Sequence, residues 1–182
     1  GYVCAPAYLA AKSLKVPSVI HEANAEPGWA NRLGARYTDA LALGSPVTHG
    51  AFANALITGL PLRDDIASLL SAHHNVDEDT WSEIRAKAKR DLGIHSENKV
   101  VLVFGGSQGS VAINSVIDGA RARLGEAGLQ ILHSVGAKNH LPESDSSYKA
   151  VSYISDMASA YLAADVIISR SGAVSCSEIN TL

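Results

Sequence analysis

Short apolar runs, rich in Val, Ile and Leu, alternate along the chain with stretches of helical periodicity. The runs predict strands at residues 18–21, 39–43, 56–58, 100–104, 129–135, 150–154 and 165–169. The segments between them predict helices at residues 6–14, 28–37, 63–71, 80–92, 110–124, 156–164 and from 173 onward. Because the runs have no polar face, we expect the strands to be buried on both sides. Strands that alternate with helices predict an α/β fold, in which helices cover parallel sheets.

A break in this pattern divides the chain into two parts. The sequence GLPLR at residues 59–63 interrupts the periodicity, and a polar, acidic stretch follows at residues 73–79. Glycine, proline and polar residues of this kind are typical of domain boundaries. We therefore predict two Rossmann-like domains, over residues 1–62 and 63–182, each with its own parallel sheet and each incomplete in this chain.

The composition excludes several classes of protein. Hydrophobic residues make up 47% of the 182 residues, and 15 basic residues nearly balance 18 acidic ones, whereas disordered chains combine low hydrophobicity with high net charge. The longest apolar stretch without a charge ends at Lys12, short of the roughly 20 residues that span a bilayer. A pI of about 6.2 argues against a nucleic-acid-binding surface. Cys4 and Cys176 form no CxxC pair, which predicts no disulfide framework and favours a reducing cytosol.

A glycine loop after a predicted strand is the sharpest local signal. The run VVLVF at 100–104 continues into GGSQG at 105–109, and a predicted helix follows. Such a loop directs backbone N–H groups and the positive end of the helix dipole toward one point, which suits a phosphate group. A P-loop would need Gly-Lys-Ser/Thr, but Ser110 and Val111 follow Gly109, so ATP or GTP hydrolysis is not expected.

The same loop does not complete a dinucleotide fingerprint. That fingerprint needs an acidic residue at the end of the next strand, and the next strand here ends in HSVG at 133–136. NAD is therefore disfavoured, whereas a diphosphate is not. The alternative for the glycine loop is a purely structural tight turn.

A second loop of the same kind is SRSGA at 169–173, again between an apolar strand and a helix. If the strands of the second half are wound in the order 3-2-1-4, the two loops follow strands 1 and 4 and face one crevice. Glu178 lies early in the helix that the second loop opens, where a carboxylate suits two ribose hydroxyls. The alternative is a capping box from Ser175 to Glu178, which would only stabilise the helix.

Three polar residues follow a predicted strand in the first half. His21, Glu22 and Asn24 come after Val19 and Ile20, at the kind of strand end where functional groups collect. The alternative for His21 is a core histidine bonded to backbone. The other histidines lack the spacing of a metal site, so no metal is predicted.

Several motifs occur together in one order: GYVCAPAYLAA at 1–11, HEAN at 21–24, GLPLR at 59–63, GGSQGS at 105–110, YISDMASAY at 153–161 and RSGAVSCSE at 170–178. In this order and spacing the chain resembles the MurG family of peptidoglycan N-acetylglucosaminyltransferases over its whole length. The resemblance implies a GT-B fold, with two Rossmann-like domains around a cleft. It also implies inverting transfer of GlcNAc from UDP-GlcNAc to membrane-bound lipid I, which yields lipid II.

The resemblance also implies site residues. The positions that it assigns to UDP-GlcNAc are Asn24, Arg63, Gly106, Ser107, Gln108, Ile154, Ala173, Val174, Ser175, Cys176, Ser177 and Glu178. Among these, Ser107 is expected at the diphosphate, the backbone of Ile154 at the uracil and Glu178 at the ribose hydroxyls. His21 and Glu22 match a motif on the acceptor side.

The implied partners are UDP-GlcNAc, lipid I and the cytoplasmic membrane surface, with no nucleic acid, no cofactor and no metal. The implied location is peripheral, on the inner face of the bacterial cell membrane. The family's first glycine loop and its proposed base would precede residue 1, so no general base is assigned and this chain is not expected to turn over by itself. The alternatives are another GT-B UDP-sugar enzyme, such as a glycolipid synthase or a UDP-GlcNAc epimerase, and a nucleotide-sugar-binding module without catalysis.

Overall fold

The structure is a computed structural model and describes residues 2–181. Contacts divide these residues into two compact units, the first ending at Leu62 and the second beginning at Arg63. The division falls inside the GLPLR sequence at 59–63. Among the described residues, no helix has both the length and the apolar character needed to cross a bilayer.

The first unit contains a small parallel sheet. Its elements are α1 (Cys4–Ser13), β1 (Ile20–Glu22), α2 (Trp29–Gly34), β2 (Leu41–Leu43), a 3-10 helix (Gly50–Phe52) and β3 (Leu56–Ile57). The strands pair in the order β1-β2-β3. Ile20, Leu43, Val47 and Phe52 form the buried core of this unit. The sequence did not predict the 3-10 helix, which provides Phe52 to that core.

The second unit contains a larger parallel sheet. Its elements are α3 (Asp64–Asn75), α4 (Glu78–Asp91), β4 (Lys99–Phe104), α5 (Val111–Glu126), β5 (Leu129–Ser134), β6 (Tyr148–Val151), α6 (Met157–Ala163), β7 (Val166–Ser169) and α7 (Ala173–Thr181). The strands pair in the order β6-β5-β4-β7. In the order of their appearance within this unit, that is 3-2-1-4, so the expected winding is confirmed. The loops after β4 and β7 consequently lie at the same edge of the sheet, on neighbouring strands.

Alternate residues of β4 point to opposite faces of the sheet, and both faces are covered. Val101 and Val103 pack with Ile117 of α5 in one apolar cluster. Leu102 and Phe104 join a second cluster that includes residues of α3 and α6. This two-sided burial explains why β4 is apolar at nearly every position and confirms the expectation for the central strands.

Several details of the predicted strands are wrong. β1 begins at Ile20 and β2 at Leu41, and not at the predicted residues 18 and 39. Burial on both sides fails for β3 and β7, because each lies at the edge of its sheet among the described residues and leaves apolar side chains exposed. In addition, β6 ends at Val151, and not at the predicted residue 154, because Val151 pairs with Ser134, the last residue of its strand partner β5. Ile154 therefore lies in the loop between β6 and α6.

Asp165, just before β7, joins α4 to the sheet. Its carboxylate accepts a hydrogen bond from the backbone N–H of Val100 at 2.9 Å and pairs with Arg85, Lys89 and Lys99 at 3.2–3.3 Å. Burial would raise the pKa of Asp165, but the Val100 hydrogen bond and the neighbouring cations outweigh it and lower the pKa to about 2. The carboxylate is thus held ionised between a helix and two strands.

Candidate functional site

The glycine loop between β4 and α5 has a backbone that requires glycine. Gly106 and Gly109 have positive φ values of 82° and 74°, which L side chains rarely adopt. A Cβ at Gly109 would also overlap the carbonyl oxygen of Val135. Asn139 fixes the loop from the other side, because its Nδ2 donates to the carbonyl oxygens of Gln108 at 3.1 Å and Val135 at 2.7 Å.

The loop leads directly into the N-terminus of α5. Ser110 is the N-cap residue, and its Oγ accepts from the backbone N–H of Ile113 at 3.5 Å. The first backbone N–H groups of a helix have no partner within the helix, and together with the helix dipole they favour an anion at this end. The glycine loop therefore precedes a helix end that suits an anion.

A second helix N-terminus and a cation lie at the same edge. The loop after β7 leads into α7, where the backbone N–H of Cys176 donates to the carbonyl of Gly172 at 2.9 Å. The guanidinium of Arg170, in this loop, lies beside the glycine loop: its Nη2 is 3.0 Å from the position that a Cβ on Gly106 would occupy. The two loops therefore face each other, and a positive side chain lies between them.

Glu178 is buried in α7, with 5% of its surface exposed, and both of its carboxylate oxygens have partners. Oε1 accepts from Nε of Arg63 at 3.0 Å, and Oε2 accepts from the hydroxyl of Tyr161 at 2.9 Å. Burial of Tyr161 and its hydrogen bond to the Glu178 carboxylate raise the pKa of the Tyr161 hydroxyl well above its ordinary value, so this hydroxyl remains a donor.

The capping-box alternative for Glu178 is wrong. A capping box would place Ser175 before the first turn of the helix, but α7 already begins at Ala173. The carboxylate of Glu178 is bonded to two side chains, Arg63 and Tyr161, that lie outside α7. Its burial is thus explained by tertiary contacts and not by helix capping.

Loops and helix ends of the second unit surround a cavity of about 230 Å³. The lining residues are Arg63, Phe104, Gly106, Ser107, Ser134, Tyr153, Ile154, Met157, Tyr161, Val174, Ser175 and Glu178. Seven of the positions expected at UDP-GlcNAc are therefore brought together: Arg63, Gly106, Ser107, Ile154, Val174, Ser175 and Glu178. The cavity is the point where the glycine loop after β4, the first turn of α7, Glu178 and Ile154 meet.

Other expected positions do not line this cavity. Gln108 is exposed and its carbonyl is turned toward Asn139. Ala173, Cys176 and Ser177 belong to the first turns of α7 but are absent from the cavity wall, and the Cys176 side chain is exposed.

Sequence reasoning missed several residues of the cavity wall. Phe104 and Ser134 end neighbouring strands, so the rule that ligands bind at the carboxyl ends of parallel strands was a signal for both. Tyr153, Met157 and Tyr161 lie within the YISDMASAY motif at 153–161, of which only Ile154 was assigned a contact.

The HEAN motif of the first unit is organised around Glu22, which is 2% exposed. Its carboxylate accepts from the backbone N–H of Asn24 and of Gly28 and from the side-chain amides of Asn24 and Asn31, at 2.8–2.9 Å. Burial would raise the pKa of Glu22, but these hydrogen bonds outweigh it and lower the pKa. Glu22 thus shapes the loop after β1.

His21 and Asn24 are both exposed. Nε2 of His21 lies 2.9 Å from the carbonyl oxygen of Gly59, so His21 does contact backbone but is not the core histidine of the alternative reading. All residues of the HEAN motif lie in the first unit, and the cavity described above lies in the second. In the described part of the chain, no group of three or more His, Cys, Asp or Glu residues is arranged to hold a metal ion.

Known proteins resemble the chain along its whole length. Residues 100–182 match the glycosyltransferase family 28 C-terminal domain, and residues 1–43 match the glycosyltransferase family 28 N-terminal domain. A protein of Corynebacterium efficiens is 42% identical over 98% of this chain and 46% of its own length. A protein of Cutibacterium acnes is 42% identical over 100% of this chain and 49% of its own length.

Both relatives carry the name UDP-N-acetylglucosamine--N-acetylmuramyl-(pentapeptide) pyrophosphoryl-undecaprenol N-acetylglucosamine transferase. The crystal structure of Acinetobacter baumannii MurG matches with a TM-score of 0.61 and 26% identity, covering 100% of this chain and 48% of that one. The chain thus spans about half the length of the relatives it matches. These matches confirm the resemblance and the α/β fold with parallel sheets, and the chain belongs to glycosyltransferase family 28.

Proposed function

We propose that the protein is an inverting glycosyltransferase that moves GlcNAc from UDP-GlcNAc to lipid I and so forms lipid II for peptidoglycan synthesis. One observation carries this proposal: the glycine loop after β4 and the carboxylate of Glu178 line one cavity. A phosphate-binding loop and a ribose-binding carboxylate are the two groups that a nucleoside diphosphate sugar requires. The names of the relatives support GlcNAc as the sugar.

The diphosphate belongs at the glycine loop in this proposal. Gly106, Ser107 and Gln108 surround it, with the N-terminus of α5 behind them and Arg170 on the opposite side. A helix N-terminus stabilises an anion by ~0.3–1 kcal/mol when exposed and by up to ~2 kcal/mol when partly buried. These groups favour the charge that grows on UDP as it leaves the sugar.

The uridine and the sugar take the remaining parts of the cavity. Glu178 accepts hydrogen bonds from the ribose hydroxyls, and the backbone of Ile154 binds the uracil. The residues assigned to the sugar and phosphate end are those of the first turns of α7: Val174 and Ser175 line the cavity, and Ala173, Cys176 and Ser177 belong to the same turns outside its wall. Arg63 completes the wall and neutralises Glu178.

We assign residues 63–182 to the donor domain and residues 1–62 to the acceptor-side domain. His21 and Glu22 then serve the acceptor side, and Asn24 contacts the donor. In the reaction, a lipid I hydroxyl attacks the anomeric carbon and gives its proton to a general base that is not assigned among these residues. The bond between the anomeric carbon and the oxygen of UDP breaks on the opposite face, UDP leaves with that electron pair, and the configuration inverts. Because lipid I is held in the bilayer, the protein works peripherally at the inner face of the cytoplasmic membrane.

A transfer assay with the full-length protein tests this function. The protein is incubated with UDP-GlcNAc labelled in the sugar, with and without lipid I in detergent micelles. We expect label in the lipid product only when lipid I is present, one UDP released per sugar, and a β linkage in the product. Labelled ManNAc formed without lipid I would indicate an epimerase, transfer to diacylglycerol a glycolipid synthase, and tight UDP-GlcNAc binding without turnover a binding module.

A further inference from the structure

Tyr161 has a fixed position in the wall of the cavity. Its side chain is buried in the core beside the sheet, with 5% of its surface exposed. Its ring meets Phe104 edge to face, with the centroids 6.1 Å apart and the planes at 66°. Because the ring is held in this way, the position of its hydroxyl oxygen is fixed. That oxygen lies 2.9 Å from Oε2 of Glu178.

The hydrogen bonds of Glu178 leave room for two further donors. An ionised carboxylate offers about four acceptor sites, two on each oxygen. Tyr161 uses one site on Oε2, and Arg63 uses one on Oε1. One site therefore stays available on each oxygen, and the two adjacent hydroxyls of a ribose can each take one.

The two partners of Glu178 differ in rigidity. The side chain of Arg63 is 43% exposed and also lies 3.9 Å from Asp65. Tyr161 is enclosed by the core and reaches Glu178 through a single torsion of its hydroxyl. Tyr161 is therefore better suited to fix the plane of the carboxylate, whereas Arg63 provides opposite charge.

On the basis of the donor site proposed above, we propose that Tyr161 is a positioning residue that orients the Glu178 carboxylate toward the ribose hydroxyls. It does not touch the reacting atoms. Its loss would leave the Glu178 carboxylate buried but free to rotate toward Arg63, so that its two oxygens no longer face the ribose together.

The test compares two ligands that differ only in the ribose. Calorimetry with the full-length protein measures the affinities for UDP and for 2′,3′-dideoxy-UDP, and their ratio isolates the contribution of the hydroxyls. We expect Tyr161→Phe to lower this ratio about fivefold to tenfold, which lies within the range typical of one hydrogen bond. Tyr161→Leu, which also lacks the donor, gives a second measure of the same ratio.

Tyr148 provides a matched control. It is also a buried tyrosine of the second unit, with a hydroxyl 2.9 Å from Nδ1 of His133, but it belongs to the apolar cluster on the opposite face of the sheet. We expect Tyr148→Phe to leave the ratio within about twofold of the unsubstituted protein's. In a Glu178→Ala background, Tyr161→Phe should change the ratio by less than about twofold, because its effect runs through Glu178.

The outcomes separate this inference from the function on which it rests. A ratio that stays unchanged in Tyr161→Phe but falls in Glu178→Ala overturns the role of Tyr161 and leaves the donor site standing. A ratio near one in the unsubstituted protein overturns the ribose site itself. An equal loss in Tyr148→Phe and Tyr161→Phe assigns both hydroxyls to general stability and also contradicts the proposal.

Discussion

Two buried glutamates, Glu22 and Glu178, differ in their hydrogen-bond partners and in their surroundings. Glu22 accepts four hydrogen bonds, all from residues within the ten positions that follow it, so its carboxylate shapes a local loop. Glu178 accepts from Arg63 and Tyr161, which are 115 and 17 positions away, and lines a cavity. Of these two glutamates, Glu178 is the one that lines a cavity, and it accepts two hydrogen bonds from side chains where Glu22 accepts four.

The glycine loop gives a prediction for single residues. We expect Gly109→Ala to lower the free energy of unfolding of the full-length protein by at least ~1–2 kcal/mol, since φ is positive there and a Cβ would overlap Val135. Gly119, inside α5, has open space where a Cβ would lie, with no atom within 4 Å, so Gly119→Ala should raise it by ~0.5–1 kcal/mol. Urea unfolding of both variants measures these changes.

The same pair also tests the link between this loop and the donor. Gly109→Ala should weaken UDP binding, because the backbone proposed to surround the phosphates must shift, whereas Gly119→Ala should not. A Gly109→Ala protein as stable as the unsubstituted one, with unchanged UDP affinity, would show that the loop does not need this backbone.

At the scale of elements, the sequence predicted best those strands whose positions depend mainly on burial. The central strands β4 and β5 are apolar because both faces are covered, and their positions were predicted within a residue or two. The end of β6 was not, because it depends on where the partner strand β5 stops. The loops were predicted from the rule that ligands bind at the carboxyl ends of parallel strands, and Glu178 from its place in the helix after the second loop. Tyr161 and Met157 have the sequence pattern of ordinary core residues, and only the packing of α6 shows that they line the cavity.

The contact between α4 and the sheet gives a prediction on pH. The pKa of Asp165 is about 2 in the folded protein against an ordinary 3.8, so its contribution is present above pH 3.8 and is lost as the pH falls toward 2. That shift corresponds to ~2 kcal/mol of stability. We expect Asp165→Asn to lower the free energy of unfolding by about that amount at pH 7 and to flatten its dependence on pH between about 4 and 2.

Urea unfolding of the full-length protein at several pH values measures this effect, with Asp79→Asn as the control. Asp79 is an exposed residue in the first turn of α4, so its substitution should leave the acid part of the profile nearly unchanged. Equal effects of the two substitutions would mean that Asp165 does not hold α4 to the sheet.

At the scale of the molecule, each unit has its own sheet and its own core. The residues proposed for the donor, apart from Asn24, lie in the second unit, and those proposed for the acceptor lie in the first. The chain also spans about half the length of its relatives. Tests of catalysis therefore need the full-length protein. They are most informative with variants that affect the binding of the donor and of the acceptor separately.

The measurement that bears most directly on the donor site is the steady-state kinetics of Glu178→Ala in the full-length protein. If Glu178 holds the ribose, the apparent constant for UDP-GlcNAc rises about tenfold or more, the size of a lost hydrogen bond to a charged group, while the constant for lipid I changes less than about twofold. Glu126→Ala, an exposed glutamate at the end of α5, should change neither constant. An unchanged donor constant in Glu178→Ala, or an equal rise in both constants, would contradict the account.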